Sequence, residues 1–432
     1  MGDSLLVCLV VALGLVGTIS VRIYKEPWVS PIPIVLATFF LPMLLATTRL
    51  SALQLVEWSY ETYVVMVLVA FSWIFVPTLV LWMNSLGAKK FGDPASVNLD
   101  DVIRECWRNP TNIYLVRAVA GVVIAAYCLG NYLQSGAIWI INPEGLYDLH
   151  HDFPFAIRFF ARATPVCVVL LYLAFWSRRR VFDAGLLLAA LLIPLSRGSR
   201  IDIAMSMVCI IVLFSRFPLF VVTRKRALML FLAFAVIVAG GVEYGNQRLN
   251  RFGQYDVTYD KVIGWKPAAT GPAMILPPVY AYFPLSFENF DQAVRQGVGG
   301  RTSGVLSFDW FFTGFVKANW LPGYGELVAG ARFIPISSGA NVPTALLPFY
   351  SDFGAKGAAV PMVACMLFWL WAYYRAASSL AWFGVFTIYS GAFALSSFQA
   401  LIVSPLIAQQ LVEIGVLLLL MKKFANANAN AG

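Results

Sequence analysis

The sequence predicts an all-α polytopic membrane protein with about 11 transmembrane helices and one large loop on a single side. Three observations carry that expectation. Of the 432 residues, 60% are hydrophobic and only 12% are charged, against about 25% charged in an ordinary soluble domain. Mean hydropathy is +0.75. The apolar residues fall into runs whose connecting segments alternate between cation-rich and cation-poor. A soluble chain this apolar could not cover its surface, and a disordered chain needs the opposite composition.

A helix needs about 20 apolar residues to cross about 30 Å of hydrocarbon. Runs of that kind lie near residues 4–21, 32–48, 63–84, 113–133, 159–176, 181–195, 201–215, 227–243, 358–374, 381–398 and 402–421. They divide the chain into N-terminal transmembrane helices over 1–242, a large loop over 243–345, C-terminal transmembrane helices over 346–424 and a low-complexity tail over 425–432. Met1-Gly2-Asp3 carries no positive charge, so the first run lacks the basic flank of a cleavable signal and is expected to stay as a span. Five of the six cysteines fall in expected spans and Cys106 in an inner loop. No disulfide framework or metal cluster is indicated.

Cations set the orientation. Arg22, Lys25, Lys89, Lys90, Arg104, Arg108, Arg178, Arg179, Arg180, Arg216, Arg224, Lys225, Arg226, Arg375, Lys422 and Lys423 belong to one set of loops. The short loops of the other set hold only Arg49, Arg158, Arg162, Arg197 and Arg200. Cytoplasmic loops collect Lys and Arg, so the N-terminus is expected outside and the C-terminus inside. The net charge of +9 has two readings: this inner excess, and basic groups outside that meet an anionic substrate. The largest inner loop, about 85–112, is too short for a nucleotide-binding domain, and neither GxxxxGK[ST] nor GxGxxG occurs.

The sharpest local signal is Leu195-Ser196-Arg197-Gly198-Ser199-Arg200-Ile201-Asp202. It separates two runs of about 15 residues, each about 22 Å of helix. Its apex is expected to stop below the outer surface, where an arginine costs several kcal/mol unless it meets water or a partner. Arg197 and Arg200 are three apart and share a face on a helical start. Free N–H groups at that start also favour an anion. Two readings remain: a recessed phosphate or pyrophosphate site, for which the guanidinium fork is suited, or arginines that snorkel upward, with Arg200 pairing Asp202.

The segment Asn142 to Asp152 holds both histidines, His150 and His151, beside acidic residues, and Arg158 and Arg162 follow four apart. A His flanked by carboxylates suits proton transfer; a hydrated surface loop is the plainer reading. Adjacent histidines without cysteine do not give zinc spacing, and no Gly-x-Ser-x-Gly elbow supports a serine hydrolase. In the large loop, Glu243, Arg248, Arg251, Arg295, Arg301, Asp309 and Arg332 are available for charge work. Trp265, Tyr280, Tyr282, Phe283, Phe287, Phe290, Trp310, Phe311, Phe312, Trp320 and Tyr324 make it aromatic-rich, which fits either a sugar-stacking surface or an interfacial belt.

Three segments together resemble the Wzy-type oligosaccharide repeat-unit polymerases. Asn341-Val342-Pro343-Thr344 followed by Tyr350-Ser351-Asp352-Phe353-Gly354-Ala355-Lys356-Gly357 is similar to that family's pattern before a late span, with Pro343 in place of the more usual residue. Tyr282 to Phe290 resembles its Tyr…Asn segment, and Ser196 to Arg200 its Arg-rich helix start. The resemblance covers roughly the second half of the chain and suggests the exopolysaccharide branch.

It implies a fold similar to C-type membrane glycosyltransferases, with the large loop periplasmic, in the bacterial inner membrane. The implied activity joins repeat units carried on undecaprenyl pyrophosphate: the growing glycan leaves its carrier for the non-reducing end of the next lipid-linked unit. On this reading Arg197 and Arg200 hold and stabilise the leaving pyrophosphate, and Arg158 and Arg162 hold that of the second lipid. His151, Asp309 or Glu243 is the base. Tyr282, Asn289, Arg301, Asn341, Tyr350 and Asp352 line or brace the glycan groove, although Asp352-Phe353-Gly354 reads equally well as a structural corner. No cofactor or metal is required. Expected partners are the lipid-linked oligosaccharides, membrane lipid, a chain-length-regulating co-polymerase and a flippase; nucleic acid is not among them. A ligase moving a finished glycan to another acceptor uses the same chemistry, and a transporter or flippase of anionic lipid-linked glycan is the non-enzymatic alternative.

Overall fold

The computed structural model describes residues 2–54, 56–86, 99–136, 154–197, 200–219, 258–267, 273, 276–316, 322–337, 342–397 and 399–429. Among them every regular element is helical, apart from one isolated bridge between Ser51 and Trp265. Five helices are long and apolar enough to cross a membrane, and the protein is a helical membrane protein. These are α1 (Gly2–Ile23), α3 (Tyr60–Ser85), α5 (Pro110–Ser135), α15 (Ala359–Ala376) and α17 (Pro405–Ala429). Shorter apolar helices are α2 (Pro31–Ala46), α7 (Thr164–Arg178), α8 (Val181–Leu192) and α16 (Leu380–Ala394). The remaining helices are α4 (Leu99–Arg108), α6 (Phe155–Ala161), α9 (Arg200–Arg216), α10 (Tyr259–Ile263), α11 (Leu276–Tyr282), α12 (Leu285–Arg295), α13 (Tyr324–Ala329) and α14 (Leu346–Gly357). The span expected at 227–243 lies outside the described residues.

Local chemistry sets the boundaries. Ser59 caps α3 by accepting from the Thr62 N–H, and Asn109 caps α5 by accepting from the Thr111 N–H at 3.0 Å. Such caps satisfy donors that a helix start leaves open. Pro110 at the first turn of α5 has no N–H to lose. The run expected as one span over 159–176 is instead two helices, α6 and α7. Pro165 in the first turn of α7 lacks the N–H that a continuous helix would bond back into α6.

The core explains how the short helices are accommodated. In α7 every residue from Thr164 to Ala174 is buried, and in α16 every residue from Phe383 to Ala394. Each helix has 15 residues, about 22 Å, too short for about 30 Å of hydrocarbon. A helix apolar on all sides belongs inside a larger bundle. Here α7 packs against α5, α8 and α9, while α16 packs against α2, α9, α15 and α17. Of the five longer helices, α3 is also largely buried, while the other four leave most of their surface outside the core. Next to α16, π-helical turns at Leu36–Phe40 in α2 and Phe71–Phe75 in α3 turn Phe39 and Trp73 onto each other, with centroids 4.8 Å apart. Trp73 then meets Phe393 at 5.2 Å, and Phe393 stacks on Trp369 at 4.1 Å.

Contacts sort the charges by end. At one end Arg49 pairs with Asp3 at 2.8 Å, and the described parts of 258–357 sit there with them. At the other, Glu26 accepts from Tyr373, Arg216 approaches Asp100 at 3.8 Å, and Asn112 donates to the Met421 carbonyl at 2.9 Å. Asp183, 1% exposed, accepts from Arg117 Nε and a terminal nitrogen at 3.0 and 2.8 Å, with Arg178 at 3.8 Å. Removing one partner of a buried pair leaves the other charge uncompensated. Asp183→Ala is expected to lower stability by about 3 kcal/mol, the low end for such losses because Arg117 is 30% exposed. Unfolding in mixed micelles by a graded denaturing detergent measures it, with Asp183→Asn losing less.

Candidate active site at the loop-bearing end

The large loop is anchored to the bundle by carboxylates on α12. Glu288 Oε1 accepts from Gln54 Nε2 at 2.9 Å and from Trp58 Nε1 at 2.6 Å. Asp291 Oδ1 accepts from the Ser59 N–H and the Thr62 hydroxyl, both at 2.7 Å, and its other oxygen accepts from Arg295 Nε at 2.6 Å. The segment after α2 also docks on α10. The Ala52 N–H donates to the Gly264 carbonyl at 2.8 Å, and the Lys266 N–H to that of Leu50 at 2.9 Å. Gly264 has φ +56°, and a Cβ there would stand 2.6 Å from that of Ala52, so glycine is required twice over.

The Tyr-x-Asp-Phe-Gly stretch forms the second anchor. Gly354, at φ 66° and ψ −175°, interrupts α14 and so frees carbonyls that a continuous helix would bond. Loop N–H groups take them: Gly300 donates to the Tyr350 carbonyl at 3.2 Å, Arg301 and Thr302 to that of Ser351 at 2.7 and 3.1 Å. Asp352 completes the corner. Its Oδ1 accepts from the Thr302 hydroxyl and the Leu306 N–H, and its Oδ2 from the Ser307 N–H. At 4% exposed, with both oxygens engaged, Asp352 is a brace and has no face open to a glycan.

The other expected glycan residues divide in the same way. Asn289 is fully buried, accepts from the Ile336 N–H at 3.0 Å and donates to the Val342 carbonyl at 3.2 Å. It braces the return segment. Tyr350 is also buried and donates to Glu61 Oε2 at 2.6 Å; burial and that carboxylate raise its pKa. Tyr282 is half-buried and shares a hydroxyl contact with Tyr259 at 2.9 Å. Arg301 is exposed. Asn341 lies outside the described residues.

Much of the aromatic density is packing: Tyr259, Tyr280, Phe287 and Phe290 are buried, while Phe308 and Phe311 are exposed. Between that exposed pair, Asp309 is half-buried and accepts from Thr313 and Tyr324 hydroxyls. Burial raises its pKa against those hydrogen bonds. Tyr324 feels the charges of both Asp309 and Asp352, so the open acid and the buried corner are neighbours.

The arginine groups gather around the far end of α5. Asn131 Nδ2 donates to the Ser196 hydroxyl at 2.9 Å, and the Tyr127 hydroxyl donates to Asp202 at 3.2 Å. Because α5 runs on to Ser135, Ser196 sits four residues short of its end, about 6 Å. Arg197 closes the 3-10 turn Ile193–Arg197 and Arg200 opens α9; their side chains lie outside the description, as do His151 and Glu243. Arg158 is half-buried on α6 and Arg162 is exposed just past it, and α6 packs on α5.

The N-terminal end of α17 links these groups. Gln410 Nε2 donates to the Arg162 carbonyl at 2.6 Å and Gln409 Nε2 to that of Phe159 at 3.0 Å, while α17 also packs on the π-helical segment Trp310–Val316 next to Asp309. Glu413 lies between, one oxygen held by Gln409 at 2.7 Å and the other buried without a hydrogen bond among the described residues. An acid inside an apolar run is a functional candidate by default, and that signal was available in Gln409-Gln410…Glu413. Glu61, Glu288 and Asp291 carried no comparable pattern. Among the described residues no group of three or more His, Cys, Asp or Glu is placed to hold a metal.

Against known protein families, curated proteins and solved structures, the chain finds no match.

Burial lifts Glu288 to about 7 from an ordinary 4.5, against the hydrogen bonds of Gln54 and Trp58. The folded state therefore holds this proton more tightly than the unfolded chain. Its contribution is full below about pH 4.5 and lost as pH rises through about 7. Glu288→Gln, whose amide oxygen can keep both acceptor bonds, is expected to flatten that part of the thermal stability profile. It should exceed the unaltered protein above pH 7. Identical pH slopes in the two proteins would show that the carboxyl is not the titrating group.

Proposed function

We propose that the protein is a lipid-linked polysaccharide polymerase, acting at the outer face of a bacterial inner membrane with its N-terminus periplasmic and its C-terminus cytoplasmic. The observation that supports this reading is the turn at Ser196, held by Asn131 short of the end of α5; on this reading the two arginines that follow it lie at a depth where an anionic partner offsets their cost. A sugar hydroxyl attacks the anomeric carbon of the growing chain. The new C–O bond forms as the bond to the pyrophosphate oxygen breaks, and undecaprenyl pyrophosphate leaves with the electron pair. Arg197 and Arg200 stabilise that developing charge, with no nucleotide or metal needed in this scheme. Arg158 and Arg162 hold the acceptor lipid's pyrophosphate on the neighbouring helix.

The hydroxyl proton needs a base. Asp309 is the candidate of the three that lies among the described residues, and burial raises its pKa from the ordinary aspartate value, which makes it a better proton acceptor once ionised than an exposed aspartate. It also lies at an open rim between exposed Phe308 and Phe311, surfaces for sugar rings. Tyr282 and Arg301 border the glycan path, while Asn289, Tyr350 and Asp352 hold its walls. The chain-length-regulating partner and flippase belong to this scheme as well.

Reconstitution with lipid-linked repeat units tests the activity: chain growth with release of lipid pyrophosphate supports it, and translocation without new glycosidic bonds sinks it. Arg197→Lys and Arg200→Lys are expected to abolish polymer while leaving insertion intact, since lysine lacks the bidentate fork. Asp309→Asn is expected to lower turnover by about 100-fold or more, the scale of general base catalysis. It should also remove the rise of rate with pH through the Asp309 titration. Polymer of ordinary length and rate from Asp309→Asn would move the base elsewhere.

A further inference from the structure

A second charged site lies at the opposite, cation-rich end. There α4, α5 and α7 enclose a cavity of about 390 Å³ lined by Arg104, Trp107, Arg108, Tyr114, Arg117 and Arg178, within the size range of small-ligand sites. The sequence builds it from an amphipathic helix: Leu99, Ile103, Cys106 and Trp107 of α4 are buried in the bundle, while Arg104 and Arg108, four residues apart, share its outer side. Arg104 lies 5.2 Å over the Trp176 ring and Arg117 4.7 Å over Phe182. Of the nearby acids, Asp183 serves Arg117 and Arg178, Asp100 faces Arg216, and Asp101 and Glu105 stand on α4 itself. Trp107 is fully buried, yet its indole N–H has no hydrogen-bond partner among the described residues. Buried donors of this kind call for an acceptor.

The rim is apolar. Tyr114 is 71% exposed, Val181 87% and Phe182 60%, and all three stand in the first turns of α5 and α8, level with the cations. Concentrated positive charge with an unpartnered donor, next to an outward apolar strip, matches an amphiphile with an anionic head. We propose that this cavity binds a phosphate-bearing anion, presented by an anionic phospholipid. Its phosphate oxygens accept from Trp107, Arg104 and Arg108, and its acyl chains run along Tyr114, Val181 and Phe182. Basic pockets between membrane helices bind lipid head groups in this manner. The site is independent of the polymerase reading.

The test uses the full protein in neutral detergent, with phosphatidylglycerol, phosphatidylcholine or inorganic phosphate as probe, and counts retained lipid by native mass spectrometry. Phosphatidylglycerol is expected to be retained over phosphatidylcholine. Exposed Arg104 and Arg108 can be changed with little risk to folding. The Arg104→Gln/Arg108→Gln double variant is expected to weaken retention by about 25-fold, about fivefold per basic residue, and the preference is expected to fall with salt. Trp107→Phe keeps the ring but removes the N–H and is expected to weaken retention severalfold. A double variant that retains phosphatidylglycerol equally, or an unchanged Trp107→Phe, overturns the built site. Binding of inorganic phosphate with no preference between the lipids overturns the lipid source.

Discussion

The loop-bearing end of this protein depends on two carboxylates placed where carboxylates are expensive. Glu288 and Asp291, one turn of α12 apart, accept from Gln54, Trp58, Ser59 and Thr62. These partners belong to the segment joining α2 to α3 and to the first turn of α3. Without those bonds α12 would lose most of its directional ties to the bundle, and the walls built on it would lose their reference: Asn289 with the return segment, Phe290 against Tyr350. Burying the acids costs free energy that the hydrogen bonds offset only in one arrangement, which is how a polar contact in an apolar setting selects a single geometry.

A similar economy operates at the Gly354 corner. A left-handed residue inside a helix is normally a defect. Here the two carbonyls it releases become acceptors for Gly300, Arg301 and Thr302, and Asp352 receives the next donors along the same loop. The loop between α12 and the π-helical segment is thus held mainly through its backbone. Side-chain identity along it is left free to vary where it faces outward, at Arg301, Phe308 and Phe311.

Much of the helical layout was legible because hydropathy and chain length act on each segment separately. Most of the apolar runs coincide with described helices, five of them long enough to cross a membrane, while the run over 159–176 is divided between α6 and α7. What could not be read depends on neighbours. α7 and α16 look like any apolar run, because a helix is equally apolar whether lipid or protein surrounds it. The motif at Asp352 left a glycan contact and a structural corner equally open; only the donors arriving from Thr302, Leu306 and Ser307 decide between them. The aromatic richness of the loop likewise mixed core rings, such as Phe287 and Phe290, with exposed ones, such as Phe311, since composition does not record burial. The break before α7, by contrast, was written in Pro165.

The shortness of the two innermost helices bears on how the chain is made. About 22 Å of apolar helix leaves polar ends inside the hydrocarbon if it enters the bilayer alone, and Asp183, at the start of the adjoining α8, needs Arg117 of the earlier α5 beside it. Such segments gain a favourable environment only after longer neighbours have laid down a protein lining for them. Synthesis supplies α5 before α7 and α8, but α15 and α17 come much later. The bundle therefore closes around its own centre last, and α7 must wait, partly housed, for α16 to reach it.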